Sequence, residues 1–258
     1  MKYGRLPRDT DRPALTLENY LSAAGLPPAP LVVDRASKVP SWPMYMNGPD
    51  PDNQTLIPKN MGGIGDCTIA AAGHMIQGWT TYATTEITIS ALDVLLAYEH
   101  VSGFNPVTGA NDNGAQMQDV LAYWKGTGIA THKIAGYAAF GDPTDLTLMR
   151  QVLNTFGTVY VGVNLPESAE EEFGNIWTYE SSSPIVGGHA ICLQQVVTGQ
   201  IGVNHVVTWG RLQKATNAFM EHYTEEAWAV VSQDWIDANG TTIEGLDLTR
   251  LLSDMQYV

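Results

Sequence analysis

The chain has 258 residues, of which 13 are Lys or Arg and 27 are Asp or Glu, and its formal net charge at pH 7 is −14. Proteins bind nucleic acids chiefly through clustered Lys and Arg, so this balance argues against a nucleic-acid partner. Hydrophobic residues make up 44% of the sequence, which permits a substantial core and excludes global disorder. At about 150 residues per domain, the length predicts one large domain or two small lobes.

Targeting signals and cofactor motifs are lacking in the sequence. No apolar run approaches the roughly 20 residues that span a bilayer, and no apolar stretch follows the basic residues Lys2 and Arg5. We therefore expect no membrane contact and no secretory signal. Two cysteines, Cys67 and Cys192, do not make a disulfide framework and favour the reducing cytoplasm. Nucleotide-binding and dithiol motifs are missing too, so we expect no cofactor and no metal.

Residues 1–58 contain most of the chain's 14 prolines. Proline excludes a continuous helix or a central strand there. We predict an extended N-terminal arm with one short helix near Leu17–Ala24. Apolar residues such as Leu31, Trp42 and Met44 give the arm enough surface to pack on the body in an ordered way. Whether this arm is regulatory or structural is left open.

The sequence from Cys67 onward has a helical period. Apolar residues recur at alternating spacings of three and four from Ile69 to Ala83, which predicts a helix with a buried stripe and Asp66 as its N-cap. Further helices are predicted near residues 90–99, 116–126 and 145–155. The helices up to residue 126, with the loops between them, belong to a predicted helical lobe, residues 59–135.

The period then drops toward two, which is typical of strands. Predicted strands cover residues 158–163, 188–197, 201–209 and 227–232. Helices first and antiparallel strands second describe an α+β protein, with residues 136–258 as a β-rich lobe.

Cys67 follows the glycine-rich loop Gly62–Asp66 and begins the predicted helix. A helix N-terminus lowers a thiol pKa through its partial positive charge, so Cys67 is a candidate thiolate nucleophile. The alternative is a small buried residue, since free cysteines are often buried. His189 follows Gly187 and Gly188 at the start of an apolar strand, and it can supply the base that a thiol nucleophile needs.

At these residues the chain resembles the papain-like cysteine peptidases. The matching segments follow that family's order and include Lys59–Cys67, Asn113–Ile129, Gly157–Val163, His189–Ala190 and Thr208–Gly210. The narrower resemblance is to uncharacterised papain-like proteins of phages and actinobacteria. The resemblance implies a two-lobed fold, with the cysteine on a helical lobe, the histidine on an antiparallel sheet or barrel lobe, and a peptide or protein substrate between them. The expected substrate-binding residues are Gly65, Asp66, Asn113, Gly114, Gly188 and Trp209.

Two positions depart from the family's pattern. The glutamine of the oxyanion hole falls on Met61, which cannot donate a hydrogen bond, although Asn60 beside it could. The asparagine that orients the histidine falls on Val207, and counting from His189 instead points to Asn204 or His205. Strand alternation favours His205, whereas an amide oxygen makes Asn204 the chemically closer replacement. We choose Asn204.

Two other residues have structural interpretations. His74 lies seven residues after Cys67, about 10 Å along the helix axis, so it cannot be the direct base and is expected to be a buried, hydrogen-bonded histidine. Cys192 is three residues from His189 on a strand, and an odd offset points to the opposite face. We expect Cys192 to pack in the core.

The leading hypothesis is a papain-like thiol hydrolase that cleaves peptide or other amide bonds. Cys67 would attack the carbonyl, His189 would transfer the proton, and the Cys67 N–H with Asn60 would stabilise the oxyanion. The alternative is a weak or inactive structural protein of the same fold, located in a virion or assembly with partners there, and Met61 and Val207 favour it. A third hypothesis is another acyl transfer, such as transglutaminase-like crosslinking or deamidation.

Overall fold

A computed structural model describes residues 2–19, 26–48, 55–58, 61–83, 85–197, 202–236, 240–242 and 248–254. Three helices precede the main sheet: α1 (Cys67–Ala83), α2 (Ala91–Ser102) and α3 (Met117–Gly126). Helix α1 is buried along most of its length, from Cys67 to Thr80. Helix α2 begins at a capping box, in which the Ser90 side chain accepts from the Asp93 N–H and the Asp93 side chain accepts from the Ser90 N–H. It ends at Gly103, which has the left-handed conformation.

The second half of the chain forms most of the main sheet. Its strands are β4 (Ile134–Ala139), β5 (Val159–Pro166), β6 (Ile176–Trp177), β7 (Ile185–Val197), β8 (Val203–Thr208), β9 (Arg211–Thr216) and β10 (Thr224–Ser232). Their spatial order is β4, β10, β5, β7, β8, β9, β6. The 13-residue strand β7 pairs antiparallel with both β5 and β8, so its residues lie in the centre of the sheet.

Four further helices accompany the sheet: α4 (Leu146–Phe156), α5 (Glu167–Glu171), α6 (Asn217–Tyr223) and α7 (Thr249–Asp254). The Asp145 side chain caps α4 by accepting from the N–H groups of Thr147 and Leu148. Gly157, with φ of +81°, ends α4 and turns the chain into β5.

Alternate residues of β7 face two different hydrophobic cores. Ala190 and Cys192 pack in the core that contains α1. Ile191 and Leu193 pack in the core that contains α4 and α6. This alternation follows from the period of two in a strand, and it places Ala190 directly beside the N-terminal half of α1.

Two short strands come from the first 58 residues. Strand β1 (Arg5–Leu6) pairs parallel with β3 (Ala115–Gln116), which immediately precedes α3. Strand β2 (Val32–Asp34) pairs antiparallel with the end of β7. Leu17, Tyr45 and Met46 are buried, so described parts of this region contribute side chains to both cores.

The α+β fold class predicted from the sequence is confirmed, and the predicted helices and strands agree with the observed ones apart from their ends. The sequence pattern missed β4, β9 and α6. The short helix expected near Leu17–Ala24 falls largely on residues 20–25, outside the described residues. The lobe boundaries 1–58, 59–135 and 136–258 stay a prediction. Within the described residues, no helix is both long enough and apolar enough to cross a membrane.

Candidate active site

Cys67 is the first residue of α1 and its side chain faces β7. The backbone N–H groups of Ala190 and Gly4 lie near its sulfur and favour its ionised form. Ala190 immediately follows His189, so the thiol lies beside the strand position that carries the candidate base. This arrangement arises because Ala190 and Cys67 belong to the same hydrophobic core between α1 and the sheet.

His189 is held by the residues at the end of β8. Its Nε2 lies 2.6 Å from the Thr208 hydroxyl oxygen, and its ring stacks on Trp209 with 4.5 Å between the ring centroids. The other ring nitrogen, Nδ1, is buried and has no hydrogen-bond partner among the described residues. One nitrogen is therefore fixed by a hydroxyl, and the other is available for proton transfer.

Burial controls the ionisation of both groups. Desolvation raises the pKa of the Cys67 thiol to about 12, with the nearby Asp66 carboxyl adding to it and the Ala190 and Gly4 N–H groups opposing it. Desolvation, assisted by the Arg5 charge, lowers the pKa of His189 to about 3. Both groups are neutral at pH 7 in this arrangement. The lowered thiol pKa expected at a helix N-terminus is therefore wrong for this state, because burial outweighs the helix dipole.

Part of the cover over the site comes from the start of the chain. We call residues 2–6 the cleft segment. The Gly4 carbonyl accepts a 2.7 Å hydrogen bond from the Ala115 N–H, and Lys2 pairs with Asp112 at 2.9 Å. On the sheet side, the Tyr3 ring makes an edge contact with His189 and a tilted contact with Trp209. The segment thus lies between the helical wall and the sheet wall, over Cys67 and His189.

Glycines make room for this segment on both walls. A Cβ on Gly114 would lie 2.1 Å from the Gly4 carbonyl oxygen, and a Cβ on Gly188 would lie 2.2 Å from that of Arg5. A Cβ on Gly4 itself would lie 1.8 Å from the Gly65 carbonyl oxygen. Such distances are far inside van der Waals contact, so this close packing requires glycine at all three positions.

The expected substrate-binding residues have the following surroundings. Gly65 donates its N–H to Asp112 at 2.8 Å, and Gly114 donates its N–H to the Tyr98 hydroxyl at 3.0 Å. Asp66 is fully buried, and desolvation raises its pKa to about 8. Its carboxylate accepts from the Met46 N–H, outside α1. Asn113 is exposed. Thus Gly65, Gly114, Gly188 and Trp209 contact the cleft segment or border its contacts, whereas Asp66 lies beneath them.

The prediction that Asn204 orients His189 is corrected by the geometry. The described hydrogen bonds of Asn204 join it to Val197, Ala215 and Asn217 at the far end of β8. Its alternative, His205, is paired across the sheet with Gln195 and Lys214. Thr208 holds the imidazole instead. In the sequence, the position of Thr208 directly before Trp209 could have indicated this role. Strand β8 ends there, so the Thr208 hydroxyl can turn toward the cleft.

The oxyanion position is described only in part. Asn60 lies outside the described residues, and its role stays a prediction. Met61 packs its thioether over Gly109 and has no donor to offer. Sequence reasoning also missed the contacts that Arg5 of the cleft segment makes with Asn164 and Glu226.

The two residues with expected structural roles behave accordingly. His74 is buried, and its Nε2 is 2.8 Å from the Pro43 carbonyl oxygen. Cys192 is fully buried, and its sulfur lies 3.1 Å from the hydroxyl oxygen of Thr158. Across the described part of the chain, no group of three or more His, Cys, Asp or Glu side chains is arranged to hold a metal ion.

Comparison with solved structures identifies the fold. Xylellain, a cysteine protease from Xylella fastidiosa, superimposes with a TM-score of 0.63 at 13% identity, over 89% of this chain and 96% of that chain. Digestive procathepsin L2 from Tenebrio molitor larval midgut gives a TM-score of 0.59 at 13% identity, over 89% and 78% of the two chains. Procathepsin B from Trypanosoma congolense gives 0.58 at 11% identity, over 90% and 87%.

These likenesses establish a papain-like fold for the chain. No protein-family model matches the sequence, and no curated protein sequence matches it. The narrower resemblance to proteins of phages and actinobacteria stays a prediction.

Proposed function

We propose that the protein is a papain-type thiol hydrolase that cleaves peptide bonds with Cys67 and His189. The observation that carries this proposal is the position of the Cys67 thiol beside Ala190, because Ala190 immediately follows His189, which bears the imidazole. The papain-like fold supports the same assignment. A peptide substrate fits because a peptide segment of the chain itself, residues 2–6, already lies along the cleft.

The proposed reaction begins with a proton transfer. Nε2–H of His189 donates to the Thr208 hydroxyl oxygen, which leaves Nδ1 as the acceptor for the Cys67 proton. The thiolate then attacks the scissile carbonyl carbon, and the oxyanion forms near the Cys67 N–H at the start of α1. The imidazolium returns its proton to the leaving amine as the C–N bond breaks. Water attacks the thioester with His189 as base, and this releases the acid and restores the thiol.

The cleft segment must leave before this reaction can start. While it is present, Cys67 and His189 are each only 1% exposed, and burial keeps both groups neutral. Hydration of the cleft would remove most of the desolvation that raises the thiol pKa. We therefore propose that the arrangement described above is a closed, inactive state of the hydrolase.

The test is labelling with an electrophilic peptide-mimetic probe, followed by mapping of the modified cysteine. The full-length chain is compared with the Gly4→Ala variant, whose new methyl group cannot fit against the Gly65 carbonyl. We expect label on Cys67 in Gly4→Ala, little label in the wild type, and loss of labelling in Gly4→Ala/His189→Ala. An opened variant that leaves Cys67 unlabelled and cleaves no peptide in a broad library would contradict the proposal.

A second candidate is a structural protein on the same fold. The burial of Cys67 and His189, to which the cleft segment contributes, favours it, as does Met61 at the oxyanion position. For this candidate, the wild type and Cys67→Ala would assemble equally well with their partners, and Gly4→Ala would gain no activity. The peptide-library assay on Gly4→Ala separates the two candidates directly.

A further inference from the structure

Arg5 of the cleft segment places its guanidinium in a buried acidic pocket. One terminal nitrogen donates to Glu226 Oε1 at 2.8 Å, and the other donates to Asn164 Oδ1 at 2.8 Å and to Glu225. The side chains of Arg5 and Glu226 are each 1% exposed, whereas that of Glu225 is 37% exposed. Three acceptors on different side chains thus surround one planar donor group, which is the arrangement that arginine recognition requires.

The body of the protein supplies the whole pocket. Asn164 lies on β5, and Glu225 and Glu226 lie on β10. Gly162 shapes the wall, because a Cβ there would lie 2.6 Å from the Arg5 side chain. The indole of Trp228 donates to the second oxygen of Glu226 at 2.8 Å, which fixes that carboxylate toward the pocket. The pocket is therefore built without residues of the cleft segment. That segment supplies only Arg5, its present occupant.

The pocket lies beside the reactive centre, because the Arg5 charge acts on both Cys67 and His189. Gly4, the residue before Arg5, lies near the Cys67 sulfur, and its carbonyl accepts a hydrogen bond from the Ala115 N–H. A chain that makes these backbone contacts and fills the pocket is a peptide, not a free guanidinium compound. When Arg5 withdraws, the buried Glu226 loses its cation, and an uncompensated buried charge is costly. A peptide that supplies another guanidinium removes that cost.

We propose that Glu226, Glu225 and Asn164 form an arginine-recognition pocket that selects arginine-containing peptides as substrates, with Arg5 as its occupant in the closed state. The claim that these peptides are substrates rests on the proposed function. The recognition itself does not require catalysis. Arginine is preferred to lysine because a single ammonium group cannot reach the three acceptors in the same planar geometry.

The direct test is binding to a full-length Gly4→Ala/Arg5→Ala/Cys67→Ala variant, in which the segment is displaced and no bond can be cleaved. The probe is a fluorescent acetylated peptide amide with the sequence of residues 2–7, and its matched control has citrulline in place of arginine. Citrulline keeps the shape and loses the charge. We expect the arginine peptide to bind roughly 10- to 100-fold more tightly, as for hydrogen bonds to charged groups.

Two pocket variants and one control locate the effect. Adding Glu226→Gln should reduce the preference for arginine over citrulline to about threefold or less, and adding Glu225→Gln should reduce it partly. Glu221→Gln, a change of an exposed glutamate on α6, should leave the preference unchanged. If the triple variant is insoluble, the same comparison is made with Arg5→Ala/Cys67→Ala. Equal binding of the two peptides, or a preference that survives Glu226→Gln, would overturn the proposal.

Turnover distinguishes this inference from the proposed function. Peptides with arginine or citrulline are offered to the Gly4→Ala/Arg5→Ala variant with Cys67 intact. Arginine-selective binding without cleavage would reject the hydrolase and keep the pocket. Cleavage without a preference for arginine would keep the hydrolase and reject the pocket.

Discussion

Cys67 and Cys192 lie in the same hydrophobic core, and both are almost completely buried. Desolvation raises the pKa of each thiol to about 12. They differ in what buries them. Cys192 lies within the central strand β7, between β5 and β8, so its cover is the sheet itself. Cys67 lies at the start of α1, and part of its cover is the cleft segment.

The polar surroundings of the two thiols differ in the same way. Cys192 contacts the neutral groups of Thr158 and Gln194. Cys67 lies near two backbone N–H groups, the Asp66 carboxyl and the positive charge of Arg5. We therefore expect the two thiols to react at different rates although they are equally buried. Exposing Cys192 requires opening the sheet, whereas in the proposed mechanism the withdrawal of residues 2–6 exposes Cys67.

The largest expected effect is on the alkylation of Cys67. Gly4→Ala should raise its rate with iodoacetamide by about 10³-fold at neutral pH, because a thiol with pKa near 8.5 has roughly that much more thiolate than one with pKa near 12. The Cys192 rate should not change. Mass spectrometry of the two cysteine peptides over time measures both rates. Gly126→Ala is the matched control, since a methyl group there meets nothing within 4 Å. Equal acceleration of both thiols would indicate general unfolding and contradict the comparison.

The next effect concerns the charge beside Cys67. Burial raises the pKa of Asp66 to about 8, so the folded state holds a proton that the unfolded state releases above pH 4. This group therefore lowers the free energy of unfolding by about 1.4 kcal/mol per pH unit between these values. Asp66→Asn removes that dependence. Relative to the wild type, it should gain about 2.7 kcal/mol between pH 5 and pH 7 in urea unfolding.

The buried histidines do not confuse that measurement. The lowered pKa values of His74 and His189 make stability fall as the pH drops below about 6.5. Both proteins contain these histidines, so their contribution cancels in the difference. A constant difference between wild type and Asp66→Asn across this range would show that Asp66 is ionised in the folded state.

The regular elements could be predicted because their patterns are local. The apolar spacing after Cys67 indicated α1, and alternating residues indicated β5 and β7. Strand β9 was missed because its sequence, Arg211–Thr216, contains exposed polar residues. Its extended conformation is stabilised by pairing with β8, which its composition does not predict. Cys67 and His189 could be proposed as partners from their glycine-flanked positions.

The rest of the candidate site depends on contacts between distant residues. Arg5 and Glu226 are separated by 221 positions, and neither has a local pattern that reports the other. Thr208 was missed because the choice between Asn204 and His205 rested on strand alternation and amide chemistry. The geometry at the end of β8, where Trp209 has a positive φ of 45°, is what decides the hydroxyl's direction. The alternation of side chains along a strand does not predict such a turn at its end.

A smaller effect is expected from the hydroxyl that holds His189. In the Gly4→Ala background, Thr208→Val should lower kcat about 10-fold with little change in KM, because one hydrogen bond to the imidazole is lost. Thr208→Ser keeps the hydroxyl and should restore most of the rate. Steady-state kinetics on a peptide substrate measure both parameters. A loss that serine does not restore would mean that the methyl group matters, through packing, and the hydroxyl does not.

The smallest effect is expected at the second thiol. Cys192→Ala leaves no buried partner without a hydrogen bond, because the Thr158 hydroxyl still donates to the Leu193 carbonyl and Gln194 still donates to Thr158. The variant should lose only about 1 kcal/mol in the free energy of unfolding. In the Gly4→Ala background it should retain probe labelling and turnover within about twofold, whereas Cys67→Ala abolishes both. Loss of labelling in a folded Cys192→Ala protein would reverse the assignment of the two thiols, because it would mean that the sheet, and not the helix N-terminus, holds the reactive cysteine.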